Sequence, residues 1–168
     1  FSSAVSIHDL VASRQMNFTP QTNGGYNQGS ITVTLESLTR SKKVLIPMGT
    51  RFTSALSEEQ DLILPEDVIV DVPGNGEKKV TLDAYCVQHS NLSPDADQTF
   101  GFTAEKDKNL MKILQFMQGK NYHPSVVQNA IWSITDGENV AGISMNDPEE
   151  KALREFICET TGMENVWY

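Results

Sequence analysis

Two residues of this chain, Cys86 and Gln128, are of the types that can together form a reactive covalent bond. A cysteine thiolate held against a glutamine carboxamide can displace ammonia and leave a thioester. An amine or a hydroxyl on a partner molecule could later open that bond. The chemistry requires burial, because water would otherwise hydrolyse the thioester. The elements that carry the two residues must therefore place both of them in the interior, side by side.

Cys86 lies at the end of a predicted strand that spans residues 79–87. Side chains alternate between the two faces of a strand, so Cys86 faces the same way as the apolar set Val80, Leu82 and Ala84. We therefore expect a buried thiol. The same position suits a cysteine that packs as a small hydrophobic residue, or one that forms a disulfide with Cys158, and the sequence leaves these alternatives open.

Gln128 lies in a predicted helix that opens at Pro124-Ser125 and runs to about Thr135. On a helical wheel, Gln128 falls at the edge of the apolar face, one turn before Trp132. Asn129 and Ser133 are expected on the opposite, polar face. The predicted buried face consists of Val126, Val127, Ala130, Ile131 and Ile134.

The strings Tyr85-Cys86-Val87 and Val127-Gln128-Asn129-Ala130-Ile131-Trp132 resemble the paired motifs of bacterial thioester domains. These are Cys-Gln adhesion modules of cell-surface proteins. The resemblance implies that Cys86 supplies the thiol and Gln128 the acyl group, and that Trp132 and Tyr85 shield the bond. The chain departs from the family pattern at Val127, where the family commonly has Thr, and in a short interval between Cys86 and Gln128.

The resemblance implies an extracellular or cell-surface location and an adhesion or interaction module rather than an enzyme. The implied partner is a surface protein or glycan that bears an amine or a hydroxyl. The alternative is a structural or accessory domain of a larger surface protein, with Cys86 packed or bonded to Cys158. A third interpretation is a cysteine hydrolase that uses His89 or His123.

Composition excludes several other classes. The formal net charge of −9 would repel a phosphate backbone, and no cluster of Lys and Arg offsets it, so we expect no nucleic-acid partner. No apolar run approaches the ~20 residues of a spanning helix, which excludes membrane insertion. With three His and two Cys, we expect no metal site, and no sequence motif indicates a cofactor.

The pattern of elements predicts an α+β fold within a single domain, residues 1–168. Short strands joined by turns fill residues 1–90 and predict an antiparallel β-sandwich-like part that ends near Val87. About three helices follow in residues 104–165. The last has Asp147 as its N-cap, Glu150 as capping-box partner and Gly162 as C-cap. The chain begins at Phe1 without a leader and ends at Trp167-Tyr168, so we expect it to be part of a longer protein.

Overall fold

The computed structural model of the chain describes residues 3–166, so Phe1 and the terminal pair Trp167-Tyr168 lie outside the described residues. Within this range the chain forms ten strands and four helices. In order they are β1 (Val5–Ser6), α1 (Ile7–Ala12), β2 (Met16–Asn23), β3 (Asn27–Ser37), β4 (Lys42–Ile46), β5 (Thr50–Thr53), β6 (Leu62–Ile63), β7 (Val68–Val72), β8 (Glu77–Cys86), β9 (Ala96–Thr99), β10 (Gly101–Ala104), α2 (Lys108–Met117), α3 (Pro124–Thr135) and α4 (Pro148–Thr161).

The strands form two sheets that together make a near-barrel body, and three helices follow it. One sheet has seven strands in the order β10-β5-β6-β8-β3-β2-β9, and the other has three in the order β1-β4-β7. The α+β class predicted from the sequence is confirmed. No helix in the described part of the chain is both long and apolar enough to cross a membrane.

The strand region differs from the prediction in two ways. It continues to Ala104, because β9 and β10 form the two edges of the large sheet, and their mostly exposed residues lack the alternation that marks a strand. In addition, β1 pairs with β4 in parallel rather than antiparallel. A parallel pair needs a long connection, and here α1, β2 and β3 supply it.

The interior has two apolar cores, one inside the sheet body and one between the sheets and the helices. The sheet core contains the alternating side chains of β3 and β8. The helical core contains the four buried apolar side chains of α2, which are Leu110, Ile113, Leu114 and Met117. Strand β8 contributes to both cores, and it therefore joins the sheet body to the helices.

Helix α4 has the N-cap and the C-cap predicted from the sequence. Asp147 accepts hydrogen bonds from two first-turn amides, and Gly162 ends the helix with a positive φ of 74°, a conformation that glycine adopts without strain. The predicted capping box is wrong. The carboxylate of Glu150 instead accepts a hydrogen bond from the backbone N–H of Ser144, because the preceding loop folds back over the first turn.

Strand β3 bulges away from β8 just before the functional site. Four residue steps of β3, from Asn27 to Ile31, lie opposite two steps of β8, from Ala84 to Leu82. The Ser30 hydroxyl fills the break: it accepts from the Ala84 N–H at 3.1 Å and donates to the Ala84 carbonyl at 2.7 Å. A buried side chain thus completes the backbone hydrogen bonding of β8 where the strand pairing is interrupted.

We predict that Ser30→Ala lowers the free energy of unfolding by about 1–3 kcal/mol, because it leaves a buried N–H and a buried carbonyl without partners. Chemical denaturation measures this loss. The exposed Ser90 is the matched control, and Ser90→Ala should change stability by less than about 0.5 kcal/mol. Equal stabilities for the two variants would contradict the role assigned to Ser30.

Candidate functional site

The site lies where β8 loses its neighbour. Strand β3 begins at Asn27, opposite Ala84, so no residue of β3 is paired with Cys86. The next backbone bond toward β6 is made by the N–H of Val87, which donates to Asp61 at 3.1 Å. Backbone groups alternate in direction along an antiparallel strand, so the N–H and carbonyl of Cys86 point away from β6 and need another partner.

Gln128 is that partner. The backbone N–H of Cys86 donates to Gln128 Oε1 at 3.0 Å, and Gln128 Nε2 donates to the Cys86 carbonyl at 2.8 Å. The carboxamide therefore takes the place of a missing strand. Cys86 is fully buried and Gln128 is 3% exposed, so both bonds lie in the interior. The two predicted reactive residues, 42 positions apart in sequence, are in direct contact.

Helix α3 positions Gln128. The helix occupies the predicted range Pro124–Thr135, and His123 caps its start, with Nδ1 accepting the N–H of Ser125 at 3.1 Å. Gln128 is more buried than an edge position would be. Ser133, predicted on the polar face, is only 2% exposed and donates to the Ala130 carbonyl at 2.6 Å.

The prediction for Ser133 is wrong because α3 is enclosed on more than its apolar face. The sheet body and the other helices both pack against it. Conversely, two residues predicted to be buried, Val127 and Ile134, are half-buried.

The Cys86 thiol lies in an environment that keeps it protonated. Burial is the main cause that raises its pKa, and the carboxylates of Asp136 and Asp61 raise it further. Two groups oppose this. The backbone N–H of Gln88 donates to Sγ at 3.3 Å, and the indole of Trp132 also lowers the pKa of the thiol.

The contact between the Trp132 indole and the thiol is weak. The indole nitrogen is buried, yet it forms no hydrogen bond of normal geometry with any described residue. The indole is therefore a polar neighbour of Cys86 Sγ and not a fixed hydrogen-bond donor to it.

Trp132 also forms the centre of an aromatic cover, which consists of Tyr26, His89 and Trp132. The His89 ring stacks on the Trp132 ring with a centroid distance of 3.6 Å and an interplanar angle of 9°. Tyr26 meets Trp132 edge-on at 5.8 Å and 60°. The carboxylate of Glu138 contacts His89 Nδ1 and holds the outer ring in place. Trp132 of this cover neighbours the buried Cys86 thiol, and His89 is the most exposed of the three rings.

Tyr85 lies on the other face of β8. It is 6% exposed and packs in the helical core with Val87, whereas Ala84 and Leu82 belong to the sheet core. The structure therefore brings Cys86, Gln128 and Trp132 together, and it directs the Tyr85 ring away from the thiol.

The two cysteines are both free thiols. Cys158 is partly buried on α4, packed against the helical core. Two histidines were candidate partners of the Cys86 thiol in a hydrolase. His123 serves as a helix cap, and His89 stacks on Trp132. Neither forms a hydrogen bond with the thiol within residues 3–166. In the same range, no three His, Cys, Asp or Glu side chains gather where they could hold a metal ion.

Sequence reasoning did not identify two residues of the site, Tyr26 and Glu138. Tyr26 follows Gly24-Gly25 in a turn, and Glu138 follows Asp136-Gly137 at the end of α3. Both lie in loops, where no periodic pattern indicates which way a side chain points. The glycines beside them were the available signal, because tight turns return the chain toward the site.

The chain matches no known family model, no curated protein and no solved structure.

We predict a measurable effect of Tyr85 on stability in alkali. Burial, together with Asp83 and Glu66, raises the pKa of Tyr85 from 10.0 to about 12. In the unfolded chain the phenol loses its proton above pH 10, whereas in the folded chain it does so only near pH 12. Folding stability should therefore fall as the pH rises through this window.

The measurement is the difference in unfolding free energy between the parent protein and Tyr85→Phe, followed from pH 9 to pH 12. The variant lacks the phenol, so the advantage of the parent should shrink above pH 10. Parallel curves would show that the environment does not perturb Tyr85. Tyr26→Phe is the control, since it removes a phenol hydroxyl from the aromatic cover and leaves Tyr85 in place.

Proposed function

We propose that Cys86 and Gln128 form an intrachain thioester and that the chain is a cell-surface adhesion or interaction module that couples covalently to a partner. The observation that supports this most strongly is the buried carboxamide of Gln128, held by two hydrogen bonds against the backbone of Cys86. A buried glutamine next to a buried cysteine is the arrangement that the reaction needs. The resemblance to thioester domains adds the biological setting.

The reaction is an internal acyl transfer. Cys86 Sγ attacks Cδ of Gln128 and forms the S–C bond, and the bond between Cδ and Nε2 then breaks. The departing nitrogen leaves as ammonia, carrying the former thiol proton. No oxidant or cofactor is required. Because the thiol and the carboxamide are held together, the reaction benefits from a high effective concentration.

Two features of the resting site oppose the reaction. The raised pKa of Cys86 keeps the thiol protonated, and the carboxamide must give up its bonds to the backbone before the carbonyl carbon can meet Sγ. Enclosure offsets these costs. The carboxamide lies 3% exposed, so few alternative positions are open to it and water has little access.

The coupling step consumes the thioester. A primary amine on a partner would attack Cδ, the thiol of Cys86 would leave, and an amide bond would join the partner to the former Gln128. A hydroxyl would form an ester in the same way. The aromatic cover of Tyr26, His89 and Trp132 would have to admit the partner nucleophile while it limits hydrolysis by water.

A specific observation also favours a second candidate function, a structural domain without covalent chemistry. The two bonds from Gln128 satisfy the backbone of Cys86 at a strand end, and burial of polar backbone groups demands such partners. In that case the hydrogen bonds of Gln128 hold α3 against β8, and Cys86 packs as a small core residue. The mass of the protein separates the two candidates.

We predict that the intact mass of the native, non-reduced protein is lower than the sequence mass by one ammonia. Cys86→Ala should restore the full mass expected for that variant, because no thiol is left to attack. Cys158→Ala is the matched control and should keep the deficit, since Cys158 lies on α4 outside the site. Methylamine should replace the deficit by a covalent adduct of one methylamine per chain.

The structural candidate predicts the full sequence mass for the parent protein and for both cysteine variants. A deficit that persists in Cys86→Ala would contradict the assignment of the bond to this residue. Circular dichroism of each variant establishes that the fold is retained, so a missing deficit cannot be attributed to unfolding.

We predict further that Trp132→Ala shortens the lifetime of the thioester in water by about tenfold, equivalent to ~1.4 kcal/mol, because it opens the aromatic cover. The measurement is the rate at which the ammonia deficit converts to a gain of one water. Phe156→Ala is a control that removes an aromatic ring from α4, where it stacks on Phe116 instead. Equal hydrolysis rates for the two variants would contradict the shielding role of Trp132.

A further inference from the structure

A cleft opens on the face of β8 opposite the Cys86 thiol. It has a volume of about 390 Å³ and lies between the sheet and the loop that joins α2 to α3. Its walls include Tyr85 and Asp83 from β8, Glu66 from the loop before β7, and Lys120 and Tyr122 from the α2–α3 connection. The cleft combines aromatic rings with charged groups, as small-ligand sites do.

The Tyr85 hydroxyl is the most informative group in this cleft. The residue is 6% exposed, yet its hydroxyl has no hydrogen-bond partner among the described residues. The ring is buried while the hydroxyl opens on the cleft, which is how a tyrosine presents a polar group to a ligand. Because Tyr85 lines the cleft, its unsatisfied hydroxyl is available to a molecule bound there.

The charge around this hydroxyl is negative. Asp83 and Glu66 line the same cleft as Tyr85, and their negative charges add to the effect of burial in raising the pKa of its phenol. Neither carboxylate forms an ion pair in the described part of the chain, where the ion pairs involve Arg51 and His89. Asp83 accepts one hydrogen bond, from the Gly29 N–H at 2.7 Å.

The cation that lines the cleft does not neutralise these carboxylates. The Lys120 ammonium donates to the Phe116 carbonyl at 2.9 Å and lies 3.7 Å from the centre of the Phe116 ring. These two contacts hold it at the end of α2. The two carboxylates and the hydroxyl of the cleft therefore have no ion-pair partner among the described residues, although Lys120 lines the same cleft.

We propose that this cleft is a non-covalent binding site for a primary ammonium group, such as a lysine side chain of a partner protein, held between the Tyr85 hydroxyl and the carboxylates of Glu66 and Asp83. The ammonium would donate to the phenol oxygen and to carboxylate oxygens, and its alkyl chain would pack on the apolar wall that includes Val127. The site lies on the face of β8 opposite the thiol, so it does not require a thioester.

The test uses the full chain with Cys86→Ala, which removes any covalent reaction. The probe is Nα-acetyl-lysinamide, and its neutral counterpart acetylated on Nε is the reference. Binding is followed by amide chemical shifts in NMR titrations. We expect the lysine probe to shift amides at the cleft and the neutral probe to bind at least about fivefold more weakly.

Two variants in the same background locate the site. Glu66→Gln and Tyr85→Phe should each weaken binding of the lysine probe by about three- to fivefold. Glu155→Gln, which removes an equal charge from an exposed position on α4, should leave the affinity unchanged. The Tyr85 hydroxyl makes no hydrogen bond within residues 3–166, so Tyr85→Phe tests the hydroxyl without removing a hydrogen bond to that part of the chain.

Equal affinity for the two probes, shifts outside the cleft, or an equal loss of affinity in Glu155→Gln and Glu66→Gln would overturn the proposal. The last result would mean that net charge alone attracts the probe. Because Cys86 is absent throughout, these results do not depend on whether the parent protein forms a thioester.

Discussion

The contact between the Gln128 carboxamide and the backbone of Cys86 is the constraint on which the arrangement of this protein depends. It joins the last residue of β8, which is built into the sheet body, to the middle of α3, which is built into the helical core. The Gln128 side chain makes the two backbone hydrogen bonds that a neighbouring strand would otherwise make. Loss of this contact would leave the N–H and the carbonyl of Cys86 without partners in an apolar interior. The contact therefore fixes the sheet body and the helices relative to each other.

The bulge in β3 makes that contact possible. Where β3 departs from β8, the Ser30 hydroxyl satisfies Ala84, and one pair of residues further along Gln128 satisfies Cys86. Two side chains thus replace backbone pairing at successive inward-facing positions of one strand. Helix α3 packs against β8 and β3, and its Trp132 contacts the other two rings of the aromatic cover. The proposed thioester site and the contact that joins the two cores are built from the same residues.

The fold class and much of the site could be predicted from the sequence because periodic patterns are local. Alternation places Cys86 inward, and the 3.6-residue period with Pro124 at its start places Gln128 on a helix. Edge strands such as β9 escape prediction because they bury little. The burial of Ser133 could not be predicted either, because packing on both sides of α3 depends on partners distant in sequence. The partnership of Tyr26 with Trp132 likewise depends on how a turn after β2 meets a helix about a hundred residues later.

Neighbouring residues on β8 have different proposed roles. Cys86 faces the aromatic cover, where burial and enclosure suit an internal acyl transfer, and Tyr85 faces an acidic cleft that suits a cation. One strand end would then carry two separate functions, covalent on one face and non-covalent on the other. The alternation of side chains along a strand is enough to keep them apart.

Peptide mapping of the native protein directly tests whether Cys86 and Gln128 are joined by a covalent bond. Digestion at mildly acidic pH without reduction preserves a thioester, and tandem mass spectrometry then identifies which peptides are joined. We expect one cross-linked species that connects the peptide containing Cys86 to the peptide containing Gln128, with the summed mass of the two peptides less one ammonia. Recovery of the two peptides as separate species, with an intact thiol and an intact carboxamide, would contradict it.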